Sequence, residues 1–152
     1  MAEQFIKVEG LKEMVDVFTQ SPAIASRQLN DAIKKSIFYI QGKAKKNTPV
    51  DVGFLRNSAY STSFSTLKGT LRNRAPYAVF VHDGTAPHFP PIDAVAPWAE
   101  RHGIPPFLVA RAISFKGTKP NPFFEKAINE SSQNVKNNFT VALNNIRSAL
   151  LK

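Results

Sequence analysis

A long apolar stripe that is cut off by a turn constrains this chain more than any other feature. The turn lies in Thr48 to Ser58, TPVDVGFLRNS. Pro49 cannot continue a helix, and its ring disfavours the α conformation at Thr48, so a preceding helix must stop there. Asp51 can hydrogen-bond the backbone two residues on, and Gly53 permits a positive φ, which makes Pro-Val-Asp-Val-Gly a turn. Phe54 and Leu55 then supply an apolar anchor, with the donors Arg56 and Asn57 beside it. Upstream, Ala25, Leu29, Ile33, Ile37, Ile40 and Ala44 recur in steps of three or four, the spacing of one helix face. That predicts a helix of about six or seven turns. Ser21 is placed to cap it and Pro22 to occupy its first position. Lys43, Lys45 and Lys46 crowd its last turn, where cations complement the helix dipole as well as they would a nucleic acid.

Beyond the turn the period changes. Tyr60, Thr62 and Phe64 alternate with Ser61, Ser63 and Ser65, which predicts a half-buried strand. Leu67-Lys68-Gly69 reads as its turn and Thr70 to Ala75 as the partner strand, closed by Pro76. Tyr77 to Val81 is too short and apolar for periodicity to separate strand from helix. Ala86 to Ile92 (APHFPPI) is proline-rich and predicts an exposed loop. Asp93 is placed to cap a helix through Val95, Trp98 and Ala99, with Pro97 in its first turn and Gly103 as its stop. Ile104 to Phe115 continues apolar until Lys116-Gly117. Pro122 opens a last helix whose Phe124, Ile128, Ser131, Val135, Phe139, Ala142, Ile146 and Leu150 keep helical spacing. Such a helix reaches about 40–45 Å at 1.5 Å per residue. At the other end, Gln4 to Glu9 alternates like a short strand, and Leu11, Met14, Val15 and Phe18 predict a short helix ending near Gln20.

Three blocks of this chain resemble a family of phage morphogenesis proteins. They are TPVDVGFLRNS, YAVFVHDGT (Tyr77 to Thr85) and KPNPFFEKAI (Lys119 to Ile128), in that order. The family comprises tail-completion or head–tail joining proteins of the neck of long-tailed phages and prophages. Val52 stands where the family usually has Thr or Ser, and His82 where it has Glu, so no salt bridge carries over at His82. The resemblance implies a short helix-like turn ending at Gly84. It marks residues 93 to 116 as a helical elaboration of the loop between the second and third blocks.

Composition sets bounds of its own. At 152 residues the chain fits one domain. It contains no Cys, which excludes disulfides, thiolate metal sites and a Cys nucleophile. No secretory signal and no membrane-length apolar run is visible, so a soluble protein made in a cytoplasm is expected. Lys and Arg number 20 against 11 acids, a formal charge of +9. Such a balance suits a polyanion, but the basic residues are spread along the chain, which favours solubility and an acidic assembly partner.

Two other function classes stand beside assembly. Arg56, Arg72 and Arg74, interleaved with Tyr60, Phe64 and Tyr77, could bind single-stranded nucleic acid through phosphate contacts and stacking. Alternation turns the aromatics inward, however, and leaves the arginines to pair with a neighbouring subunit. His82-Asp83, with His88 and Asp93 nearby, is the cluster that could hold a metal for a nuclease, yet the upstream His of metal-dependent phosphohydrolases is missing.

The expectation is therefore an α+β single domain over residues 1–152, two long helices packed on a small antiparallel sheet. The resemblance implies a virion structural protein and not an enzyme, with no cofactor. It would form a homo-oligomeric, six-fold ring at the head–tail junction or tail end, through which DNA passes. Its partners would be tail-terminator and head-completion or connector proteins, with transient DNA contact in the lumen and no membrane. Asp51, Gly53, Leu55 and Arg56 would set the first block, and Tyr77, Gly84 and Thr85 the second, as assembly determinants.

Overall fold

The computed structural model describes residues 22–57 and 60–150, with the side chain of Leu150 excepted. Among these, the order is α1 (Pro22–Asn47), a helical turn α2 (Phe54–Asn57), β1 (Tyr60–Ser65), β2 (Lys68–Asn73), α3 (Ala78–Asp83), α4 (Ile92–Arg101), α5 (Pro106–Lys116) and α6 (Phe123–Leu150). The class is α+β, with two long helices of 26 and 28 residues and a two-stranded antiparallel sheet. The strand expected at Gln4 to Glu9, the helix before Gln20 and the Ser21 cap lie outside the described residues. Two compact units emerge, one of residues 22–39, 63–70 and 131–150, the other of 40–57, 60–62 and 71–130. Both long helices and the hairpin contribute to each unit.

In the first unit Ala25, Leu29 and Ala32 of α1 pack with Ala142 and Ile146 of α6, and Phe139 and Leu143 close the edge. Burying a Leu or Ile side chain such as Leu29 or Ile146 contributes roughly 1.5–3 kcal/mol. Ser36 is buried on the same face of α1, and its hydroxyl accepts a hydrogen bond from Asn138 Nδ2 at 3.1 Å. The stripe expected on α1 is therefore divided. Ala32 and Ser36 are buried at 3 and 4% exposure, while Ile33 and Ile37 turn toward the hairpin, where a Cβ on Gly69 would lie 2.7 and 2.9 Å from their side chains.

That close approach corrects the hairpin as read from the sequence. Gly69 lies within β2, and the loop is Thr66-Leu67, with Leu67 at φ +55°. The Leu67 N–H donates to Asn30 Oδ1 at 2.8 Å, which holds a non-glycine residue in a conformation it otherwise avoids. Ser63 faces Thr70, their hydroxyls hydrogen-bonded, and Phe64 meets Phe38 with ring centroids 5.5 Å apart.

In the second unit Leu55, Ala75, Ala78 and Phe123 form the core, with Tyr60, Val81 and Phe124 around it. α1 stops where Pro49 requires. Thr48 Oγ1 binds the Ala44 carbonyl at 2.6 Å and also meets the Tyr60 hydroxyl at 2.6 Å, so the helix end is tied to the first strand. Glu130 of α6 receives Asn47 Nδ2 at 3.2 Å and lies 3.8 Å from Lys43 Nζ. The first turns of α6 bury Phe123 and Ala127, one residue ahead of the stripe expected from Phe124 and Ile128. Phe124 is instead half-buried against Tyr60. α4 starts at Ile92 with Pro91 at its cap, so Asp93 lies in the first turn instead of capping it, and Pro97 falls inside the helix. α5 begins on Pro106 and ends at Gly117. Ala99 and Ala110 are both fully buried.

Candidate assembly surface

The first block is a clasp. Gly53 adopts φ +84°, which lets its carbonyl accept the Asn57 N–H at 2.8 Å and close the α2 turn. Leu55 is thereby aimed into the core. Asn73 of β2 secures it by donating through Nδ2 to the Leu55 carbonyl at 3.0 Å, while its Oδ1 accepts the Ala75 N–H at 3.0 Å. Asp51 receives both Nε and Nη2 of Arg101, the last residue of α4, with Nε at 3.0 Å. Hydrogen bonds from that guanidinium, with its charge adding, hold the Asp51 carboxyl below the ordinary carboxylate value against a smaller desolvation effect. Arg56 is exposed, and its Nε reaches Asn57 Oδ1 at 3.3 Å.

The second block is a short helix with a pinned end. α3 buries Ala78 and leaves Tyr77, Val79 and Phe80 exposed at 41, 52 and 59%. His82 stands edge-on to Phe123 with centroids 5.2 Å apart, and its Nδ1 meets Asp83 Oδ1 at 2.5 Å. At Gly84 the backbone turns through φ +73°, ψ −174°, a region essentially reserved for glycine. Thr85 then pairs with Thr118 in an antiparallel bridge, N to O at 3.2 and 3.1 Å in the two directions, and the two hydroxyls meet at 3.0 Å. Gly117 flanks the bridge from the other side at φ +67°, ψ −159°. Next to it, the Asn121 N–H donates to the Val81 carbonyl at 3.1 Å. The second and third blocks are thus joined at the neck of the α4–α5 excursion.

The seven residues expected at the site do not form one cluster. Gly53 and Leu55 are interior, Gly84 and Thr85 hold the neck, and Asp51, Arg56 and Tyr77 are exposed. Arg101, Gly117, Thr118 and Asn73 complete these contacts and were not singled out by sequence. One available signal was that the dipeptide Gly-Thr stands at both ends of the excursion, at 84–85 and 117–118. Of the residues weighed for metal chemistry, His82 meets Asp83, His88 Nδ1 lies 2.9 Å from the Ala86 carbonyl oxygen, and Asp93 lies in α4. Among the described residues, no three His, Asp or Glu side chains gather as a metal site. Arg72 and Arg74 are exposed while Tyr60 and Phe64 are half-buried, as alternation requires. Among the described residues, no helix is long and apolar enough to cross a membrane.

Outward-facing apolar side chains mark this surface instead. Val52 and Phe54 of the first block and Val79 and Phe80 of the second are 48–66% exposed. Residues 11–84 match the HK97-gp10-like family, described as "Bacteriophage HK97-gp10, putative tail-component". The match takes in the first block and the second as far as Gly84, and ends ahead of the excursion and the third block. No curated protein and no solved structure gives a significant match.

Proposed function

We infer that this chain, a phage tail component of the HK97-gp10-like family over residues 11–84, is a structural protein of the virion neck. It acts as one tail-completion-like domain, with residues 93–116 as its elaboration, and assembles in the host cytoplasm. In this reading, copies form a six-fold ring at the head–tail junction or tail end. The ring contacts terminator and connector proteins and leaves a lumen for DNA. The observation that carries the reading is the outward apolar face of the first two blocks. A catalytic site needs convergent polar groups in a cleft, whereas Val52 and Phe54 of the first block and Val79 and Phe80 of α3 expose apolar side chains. Asp51–Arg101 and the Thr85–Thr118 bridge keep those segments in place for docking.

Deletion of the gene from the phage or prophage that encodes it tests the function. The expected particles are filled heads and finished tails that fail to join, seen by negative-stain electron microscopy and restored by expression in trans. Normal infectious particles from the deletion strain would overturn the reading.

A further inference from the structure

Residues 86–117 leave the Thr85–Thr118 bridge and return to it, carrying α4 and α5 as an arm outside the family-matched segment. The inner face of α5 buries Ala110, with Val109 and Ile113 half-buried. On the opposite side, Phe107, Leu108 and Phe115 fall within an arc of about 100° at the helical 100° per residue. They are 53, 49 and 70% exposed, and Phe89 joins them through Phe107 with ring centroids 6.3 Å apart. Apolar side chains thus stand on two opposite sides of α5, and its outer stripe of large side chains is exposed although such a stripe ordinarily faces a core.

We propose that this arm is a self-association arm, whose Phe107, Leu108 and Phe115 stripe packs on the Tyr77, Val79 and Phe80 shelf of the next copy. The proposal rests on the assembly reading above and adds the surface and the mode of contact. Area supports a second copy as the occupant. With about 200 Å² for a whole aromatic side chain, the stripe and Phe89 expose on the order of 400 Å² and the shelf roughly 300 Å². A standard interface buries about 800 Å² per partner, a little over half of it apolar, so stripe and shelf supply most of the apolar centre. Charge supports the location. Copies of a chain carrying +9 repel one another, and the three shelf residues bear no charge. On the stripe the charged residue is Arg111, whose guanidinium lies over the Phe115 ring at 5.9 Å. Stripe on shelf juxtaposes no two cations. It is also heterologous, each copy giving an arm and receiving one, the kind of contact that generates a ring when its rotation closes.

Light scattering during size exclusion, at about 0.1 and about 1 M salt, reads the outcome directly. The wild-type chain is expected to form species larger than a dimer, more completely at high salt, where repulsion is screened and apolar contact is not. Phe107→Ser/Phe115→Ser and Val79→Ser/Phe80→Ser are each expected to be monomeric. Both change exposed residues, so their far-ultraviolet circular dichroism spectra should match wild type and show that they fold. An equimolar mixture of the two variants retains one good stripe and one good shelf, so it should give a dimer and nothing larger. Wild type that stays monomeric in both salts would overturn the arm, as would variants that still form large species or a mixture that stays monomeric. Variants that assemble normally would remove the arm alone and leave the particle experiment to decide the neck assignment.

Discussion

Alanine at Gly117 should unfold this protein's second unit more readily than any surface substitution. A Cβ there would stand 1.9 Å from the Thr85 carbonyl oxygen and 2.9 Å from the Ala86 carbonyl carbon, where real contacts hold 3.0 Å or more. The neighbours are backbone, so no side chain can swing away, and the Thr85–Thr118 bridge must open by about an ångström. Opening it removes two backbone hydrogen bonds, each contributing about 1 kcal/mol net. The positive φ with extended ψ adds strain of about 1–3 kcal/mol for a residue with a Cβ. The expected loss is therefore about 3–5 kcal/mol, a fall in Tm of roughly 10 °C or more for a chain of this length. Gly84→Ala should behave similarly, since its Cβ would lie 2.4 Å from the Thr118 carbonyl oxygen. Gly42→Ala is the reference. It lies within α1 with nothing within 4 Å, and should gain about 0.5–1 kcal/mol from helix propensity. Thermal and urea melts followed by circular dichroism compare the three. A Gly117→Ala protein that melts within a degree or two of wild type would refute the pinned neck.

Leu55→Ala removes a core side chain that is 6% exposed and should cost about 2–5 kcal/mol in urea melts, unlike the exposed Arg56→Ala. Burial pushes the Tyr60 phenol above its ordinary value of 10.0, against the opposing hydrogen bonds to Thr48 and Asn73. Its native pKa is raised, so its contribution is fully present below pH 10 and is lost as pH rises through the native value. Tyr60→Phe should flatten that alkaline loss, and an unchanged alkaline slope would count against the buried phenol. The Arg101 guanidinium lowers the Asp51 pKa, so the clasp's contribution is present above about pH 3.8 and fades as pH falls below it. Carboxyl titration by NMR should place Asp51 below 3.8 in wild type and return it to the ordinary range in Arg101→Ala.

The legible parts of the fold were those that local chemistry decides. Pro49 ended α1, Tyr60, Thr62 and Phe64 gave the half-buried face of β1, and Pro122 marked the start of α6. What failed was depth and partnership. Ala32 and Ser36 outrank Ile33 and Ile37 in burial because two helices approach closely only where side chains are small. Gly69 reads as a turn residue in the sequence, whereas in the fold it lies in β2 and makes room for Ile33 and Ile37. Arg101 and Thr118 lie 50 and 33 residues from Asp51 and Thr85, and no period or spacing connects residues that far apart. The site residues chosen from the resemblance divide accordingly. Gly53, Leu55, Gly84 and Thr85 have structural work that the geometry explains, while Tyr77 and Arg56 are exposed.

The central claim is that this is a stoichiometric part of the particle, and peptide quantification by mass spectrometry of purified virions tests it most directly. The expected result is a fixed ratio of this chain to the portal and tail-terminator proteins, kept through density-gradient purification and retained on isolated tails or necks. Its absence from intact particles, with the chain abundant only in the infected cell, would contradict the account.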